Sequence, residues 1–280
     1  MSDSGIDSRL ARKRFERAAG SYAGASRLET EVAGRMMERL DYVKLAPGRV
    51  LDAGCGPGRD LAPLARRYAQ ANVIGLDFSP AMLRAGRRWT DFFRRKRAQV
   101  CGDLARLPLA HGSIGLAWSN MALHWAGDAP AALRELHRVL EVGGLLMFST
   151  LGPDTLAELR AAAGETRVHR FADMHDIGDW LVGAGFADPV MDMERLTVAY
   201  DGAEALLSDL RESGQTAAPR AEPRTARGLS GKGFLASLGE RLDVRRREGK
   251  LHVSFEVLYG HAWKAAPKRT ADGRNIVRFS

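Results

Sequence analysis

The sequence predicts an α/β protein built on a parallel sheet with helices on both faces. Three observations support that prediction. Short β-rich runs alternate with amphipathic helical stretches from Arg49 to Leu151, and parallel strands need such crossover helices. A glycine-rich turn, Asp52-Ala53-Gly54-Cys55-Gly56-Pro57-Gly58, follows the first run. An acidic residue stands at or just past the end of each of the first three runs: Asp52, Asp77 and Asp103.

The elements follow in order. Residues 8–40 read as one or two helices. Arg49–Ala53 is a strand. Asp60–Ala69 is a helix with Leu61, Leu64, Ala65 and Tyr68 on one face. Asn72–Asp77 is a second strand. Pro80–Arg97 is a helix opened by Ser79-Pro80, and its closing run Arg94-Arg95-Lys96-Arg97 suits the negative end of the helix dipole. Ala98–Cys101 and Ser113–Asn120 are strands, Ala129–Leu140 a helix and Leu145–Leu151 a strand, with Gly143-Gly144 as the expected helix C-terminus. Residues 171–186 are helical and end at Gly185. Two β-rich runs follow, Met191–Tyr200 and Leu251–Trp263. About fifty residues lie between them, too many for a plain loop. They hold a helix at Ala203–Ser213, a Pro/Arg-rich linker at Ala217–Arg227 and a helix at Gly233–Arg241, which together read as a helical lid. The last dozen residues read as a loose basic tail.

Composition narrows the function classes. With 280 residues, 45% of them hydrophobic and 27% charged, the chain can bury a sizeable core. Two cysteines exclude a disulfide scaffold. No apolar run approaches a membrane span, and the opening residues lack a signal-peptide pattern, so a reduced, cytoplasmic setting is expected. The net charge of +8 is localised: residues 1–215 balance, whereas residues 216–280 hold 14 basic and 6 acidic side chains. That asymmetry reads either as a solvated tail or as a docking surface for an acidic partner. The seven histidines show no metal-ligand spacing.

The glycine turn carries the sharpest chemistry. Glycines permit a tight turn and close approach of backbone to ligand. The spacing G-x-G-x-G departs from the dinucleotide fingerprint G-x-G-x-x-G, and Asp52 faces an anionic pyrophosphate unfavourably. A cationic nucleoside suits the turn better. Asp77, at the second strand's end, is placed to accept hydrogen bonds from ribose hydroxyls. Asp103, beyond the third strand, is placed to accept from an adenine amino group.

Over about residues 45–150 this pattern resembles the class I S-adenosylmethionine-dependent methyltransferases. The resemblance implies a Rossmann-like, mostly parallel seven-stranded sheet with an antiparallel last strand and S-adenosylmethionine as cofactor. It implies that Asp52, Gly54, Gly56 and Gly58 cradle the methionine part, Asp77 the ribose, and Asp103 with Leu104 the adenine. Phe78 lies against the adenine face or in the core, and Asn120 borders the cofactor. The implied organisation is N-terminal helices over the active site (1–44), a cofactor-binding core (45–200), a helical lid (201–250), a closing strand (251–265) and a basic tail (266–280).

The flanks resemble a narrower family, the malonyl-acyl-carrier-protein methyltransferases of biotin synthesis. The similar segments are Phe15-Glu16-Arg17-Ala18-Ala19 with Tyr22; Gly102-Asp103-Leu104 with Leu107-Pro108-Leu109; Trp118-Ser119-Asn120 with Trp125; Leu133-Arg134-Glu135-Leu136 with Arg138-Val139; Ser149–Leu156 with Glu158-Leu159; and Ser254–Trp263. Asp154, where some members have glycine, and the basic tail depart from the pattern. The resemblance implies methyl transfer to the free carboxylate of malonyl-acyl-carrier-protein. A malonyl carboxylate is already ionised at neutral pH and needs no general base, in keeping with the lack of a Ser/His/Asp or Cys/His constellation. Tyr22 is the leading substrate-side candidate, or else an aromatic staple. Asn120, His124 and Trp125 border the transfer site, with His124 read as structural. An arginine is expected on the malonyl group; Arg211, Arg245, Arg246 and Arg247 are the candidates. The acidic carrier is expected to dock on the basic lid and C-terminal region of a monomer, without a stable nucleic-acid or membrane partner. Three rivals share the fold: a methyltransferase for another small acid or a quinone, a hydroxylase-like assembly protein of respiratory complex I, which shares the Gly152–Leu159 pattern, and an RNA methyltransferase.

Overall fold

The computed structural model describes residues 7–86, 97–216 and 231–266. A seven-stranded sheet runs in the order β3-β2-β1-β4-β5-β7-β6. The strands are β1 (Arg49–Ala53), β2 (Asn72–Asp77), β3 (Arg97–Cys101), β4 (Ile114–Ser119), β5 (Leu140–Leu151), β6 (Ala187–Tyr200) and β7 (Leu251–Trp263). The pairings β3-β2, β2-β1, β1-β4 and β4-β5 are parallel, and β7 is antiparallel to both neighbours. The expected sheet and its reversed last strand are therefore present. β4 reads Ile-Gly-Leu-Ala-Trp-Ser and is buried at every position, as a strand covered on both faces must be.

The helices are α1 (Ser8–Ala18), α2 (Tyr22–Ala25), α3 (Arg27–Arg39), α4 (Leu61–Arg67), α5 (Pro80–Gly86), α6 (Ala129–Val139), α7 (Ala157–Ala163), α8 (Met174–Gly183), α9 (Ala203–Glu212) and α10 (Gly231–Asp243). Sequence chemistry starts several of them. Asp7 caps α1 by accepting from the amides of Arg9 and Leu10 at 3.0 and 3.2 Å, and Asp128 caps α6 through the Ala131 amide at 2.9 Å. α6 buries Ala129, Ala132, Leu133, Leu136 and Val139, the stripe expected of a helix lying on a sheet.

Three expectations need correction. Residues 8–40 form three helices, because Ala19–Ser21 and Ser26 interrupt the run. The helix from Pro80 is described only to Gly86, and Arg97 already belongs to β3; residues 87–96 lie outside the described residues. Gly143-Gly144 does not end a helix. α6 stops at Val139, and the glycines form an irregularity inside β5, where the β4 register jumps between Ile114↔Leu140 and Leu116↔Leu145. Gly143 there adopts φ +82°, a conformation glycine tolerates best. The linker Ala217–Arg227 and the tail beyond residue 266 lie outside the described residues.

The strand order reverses between β1 and β4. In open α/β sheets that is where a crevice opens at the strands' carboxyl ends. Helices α1–α3 supply the other side of this crevice.

Candidate active site

A cavity of about 770 Å³, counting its open mouth, lies at that switch point. Its wall includes Gly54 and Gly56 from the turn after β1, Asp77 and Phe78 after β2, Asp103 and Leu104 after β3, and Asn120 after β4. Ser8, Phe15, Tyr22 and Glu29 close it from the N-terminal helices.

The glycine turn is locked in place. The amides of Gly54 and Cys55 donate to the Leu76 carbonyl at 2.7 and 2.9 Å. Gly54 sits at φ +86°, and a Cβ there would stand 2.2 Å from the Ala122 Cβ, so no larger residue fits. Asp77 holds the turn from the next strand: one carboxylate oxygen accepts from the Gly56 amide at 2.9 Å, the other from the Ser79 amide at 2.8 Å. Burial raises the Asp77 pKa to about 6, against the lowering effect of those two bonds.

Four carboxyls gather around this turn. Asp52, Asp60, Asp77 and Glu29 are all buried. Burial raises the pKa of Asp52 well above the carboxylate range, and Asp60 and Asp77 push it further. Asp60 and Glu29 are raised by burial as well. Arg59 is the cation that offsets Asp60 and Glu29 electrostatically, and its guanidinium donates to the Ser26 hydroxyl. Asp52 Oδ2 has no hydrogen-bond partner. A buried, under-compensated cluster of this kind favours a cationic ligand, which would lower the cost of ionisation.

The opposite wall is aromatic. The Phe15 ring lies edge-on to Tyr22, Phe78 and Trp125, with centroids 6.3, 5.9 and 5.2 Å apart. Behind Trp125 stand two neutral imidazoles. Burial lowers the His124 pKa to about 3, helped by His169, and lowers that of His169 to about 4. His124 Nδ1 lies 3.1 Å from the Thr150 hydroxyl. The Tyr22 phenol is held protonated chiefly by burial, then by Glu29, with Arg59 opposing.

The comparisons with known proteins fit this geometry. Residues 51–148 match the family model described as "Methyltransferase domain". The YcgJ protein of Bacillus subtilis superposes with a TM-score of 0.62 at 16% identity, covering 85% of this chain and 99% of that one. A putative methyltransferase from Bacillus halodurans gives 0.56 at 16%, covering 84% and 99%. At such identities these establish the fold alone. The sequence relatives are far nearer. Malonyl-[acyl-carrier protein] O-methyltransferase of Gallionella capsiferriformans is 46% identical over 100% of this chain and 99% of its own length. The protein of the same name from Methylovorus is 48% identical over 98% and 95%. The chain belongs to the malonyl-[acyl-carrier protein] O-methyltransferase family.

Within this family's framework the sequence-predicted residues divide into two groups. Gly54, Gly56, Asp77, Phe78, Asp103, Leu104, Asn120, Tyr22 and Trp125 share the cavity wall. Asp52 and Gly58 do not line it; Asp52 is buried at 2% exposure, among the other acids rather than facing the open volume. Arg211 does not line it either and is exposed on α9, as are Arg245, Arg246 and Arg247 after α10. Arg246 is paired with Asp243 at 2.9 Å. Asn120 is already engaged: its amide nitrogen donates to the Glu29 carbonyl at 2.9 Å and to Asp60 at 3.4 Å, and its oxygen accepts from Ser149 at 2.9 Å. It fastens α3 over the crevice.

Sequence reasoning missed Glu29, Asp60 and Gln215. Asp60 was expected only as the first residue of a helix, yet its side chain makes no cap bond. It accepts instead from the Trp118 indole at 3.0 Å. Glu29 had a readable signal: it stands at the head of the buried stripe Glu29, Val32, Ala33, Met36 on α3, a charge where an apolar residue belongs. Gln215 donates to Glu29 at 2.7 Å from 186 residues away, and no local pattern announces such a contact.

Proposed function

We propose that the chain transfers a methyl group from S-adenosylmethionine to the free carboxylate of malonyl-acyl-carrier-protein, giving the methyl ester that primes biotin synthesis. The observation that carries this reading is the extent of the relationship. These two relatives match 98–100% of the chain, not only the methyltransferase domain at 51–148. The match therefore includes α1–α3, which give Ser8, Phe15, Tyr22 and Glu29 to the cavity wall, and Gln215 after α9.

The cavity residues fit this cofactor. Gly54 and Gly56 would offer backbone to its methionine part, Asp77 and Asp103 their carboxylates to its nucleoside, and Phe78 an aromatic face. The buried acids favour its positive charge. When bound, it supplies an electrophilic methyl on a sulfonium. The chain's own work is to align that methyl with the acceptor and keep water out. No base is required of it: the acceptor carboxylate is ionised at neutral pH, and His124 stays neutral. Tyr22, in the cavity wall and held protonated, would donate a hydrogen bond to the acceptor. The aromatic wall of Phe15, Phe78 and Trp125 lowers the local polarity around both reactants.

The acidic carrier is proposed to approach the basic, helical side of a cytoplasmic monomer, drawn by exposed cations that include Arg245 and Arg247. No helix among the described residues is long and apolar enough to cross a membrane.

Labelled S-adenosylmethionine offered with malonyl- or acetyl-acyl-carrier-protein tests the reading. Label is expected on the malonyl form only. Cofactor binding without label on either form would overturn the acceptor assignment.

A further inference from the structure

Helix α1 has two unlike faces. One buries Ala11, Phe15 and Ala18, and Ser8 and Phe15 on it form part of the cavity wall. The other carries Arg9, Lys13 and Arg17, all exposed. Their spacing of four residues sets them along one edge of the helix, about 12 Å from first to last at 1.5 Å per residue. Among the described residues none of the three has an ion-pair partner. The one acid within the helix, Glu16, is taken by Arg12 at 3.0 Å, and the capping Asp7 is occupied by the Arg9 and Leu10 amides. α5, which packs on α1, adds the exposed Arg84. Three uncompensated cations in a row are an unusual use of a helix that also walls a cavity. Helix α10 is placed differently: it packs on α7 and α9 and gives the cavity wall no residue, whereas α1 gives Ser8 and Phe15.

We infer that the Arg9-Lys13-Arg17 edge of α1 is the surface that seats the acidic carrier at the cavity mouth. The inference rests on the proposed function and adds to it the location of the protein–protein contact. Charge complementarity supplies the argument. A row of carboxylates on the carrier, at helical spacing, can run alongside this edge and meet each cation in turn. Seated here, the carrier's thioester arm must pass around α1, a helix about 10–12 Å across, to reach its Phe15 side. Arg245 and Arg247, on a segment that gives the cavity wall no residue, contribute long-range attraction, which raises the rate of encounter without fixing the seat.

The test compares the wild-type chain with the triple variants Arg9→Glu/Lys13→Glu/Arg17→Glu and Arg9→Gln/Lys13→Gln/Arg17→Gln, and with Arg245→Glu/Arg247→Glu. KM for malonyl-carrier is measured between low and high salt, alongside affinity for S-adenosylhomocysteine, which reads the cavity without the carrier. The expected result is a KM raised tenfold or more by the α1 glutamates and several-fold by the glutamines. Their salt dependence should be flatter, and S-adenosylhomocysteine affinity should stay within twofold of wild type. The C-terminal pair should change KM less. A KM within twofold of wild type in both α1 variants overturns the inference, as does a larger effect from the C-terminal pair. A loss of carrier affinity matched by an equal loss of S-adenosylhomocysteine affinity in the glutamine variant overturns it too, because the helix is then acting as structure. Failure of the wild-type chain to methylate malonyl-carrier refutes the proposed function instead, and direct titration of the carrier then still reads the α1 surface.

Discussion

Acidification should weaken cofactor binding about tenfold between pH 7.5 and pH 5. Asp77 shows why. Its pKa is raised from 3.8 to about 6 by burial. In the folded chain its ionised form is therefore disfavoured, and its contribution to stability is greatest in acid and is lost as pH rises through about 6. A cationic ligand reverses that preference, because it binds best when the carboxylate is charged. At pH 7.5 nearly all of Asp77 is ionised; at pH 5 the fraction is roughly a tenth, so affinity falls by about the same factor. Asp52, Asp60 and Glu29 are shifted in the same direction, so they add to the effect rather than cancel it. Isothermal titration of S-adenosylmethionine from pH 5 to 8, in two buffers of different ionisation enthalpy, measures both the affinity and the protons released. Release should be negligible at pH 7.5, about half a proton at pH 6 and close to one proton at pH 5. The Asp77→Asn variant should bind more weakly at pH 7.5 and show a shallower pH dependence. It leaves one of the Gly56 and Ser79 amides without an acceptor, at a cost of about 1–3 kcal/mol. A dissociation constant that stays within twofold across the range would refute the reasoning.

Three other outcomes are expected. Gly54→Ala forces a Cβ to 2.2 Å from Ala122 at φ +86°, so S-adenosylhomocysteine binding should fall at least a hundredfold, checked by the same titration. Tyr22→Phe removes one hydrogen-bond donor, worth about 1.4 kcal/mol or a factor near ten in kcat, with cofactor affinity unchanged; an unchanged kcat with a lowered melting temperature would mark Tyr22 as a packing residue instead. Lys264→Met deletes an ammonium that donates to the carbonyls of His137, Arg138 and Leu140 at 2.9, 3.4 and 2.7 Å, and should cost about 2–3 kcal/mol in urea unfolding.

The sheet was legible because β1, β2 and β4 are short runs with buried, mostly apolar middles, such as Val50-Leu51 and Leu116–Trp118, bounded by turn residues. β1, β2 and β7 have the boundaries their composition suggests. This wall of the cavity was legible for a related reason: Gly54, Asp77, Asp103 and Asn120 stand at or just past strand ends, where sequence position fixes spatial position. Gly143-Gly144 misled because a glycine pair marks a sharp backbone change without saying whether a helix or a strand undergoes it. The acceptor side was less legible. Glu29, Asn120 and Gln215 meet through tertiary packing of three distant segments, and only the misplaced charge on α3 hinted at it. Arginines are so frequent in this chain that their number concealed which ones matter. Arg211 was one of four candidates, yet α9 turns it to solvent, whereas the unpaired row on α1 emerges only when its partners are counted.

The position of β7 has a consequence for how the chain is made. This strand is the last of the seven in sequence, yet it lies between β5 and β6. Until it arrives, β5 and β6 have no strand between them, and each presents open backbone donors and acceptors. About a hundred residues separate the end of β5 from the start of β7, which at ordinary rates of translation is roughly 5–20 s. Over that interval β5 is an open sheet edge, and β6, whose only strand partner is β7, has no place in the sheet; such an edge can capture a strand from a neighbouring molecule. A chain that ends before Leu251 therefore lacks both the strand that covers β5 and the strand that carries β6.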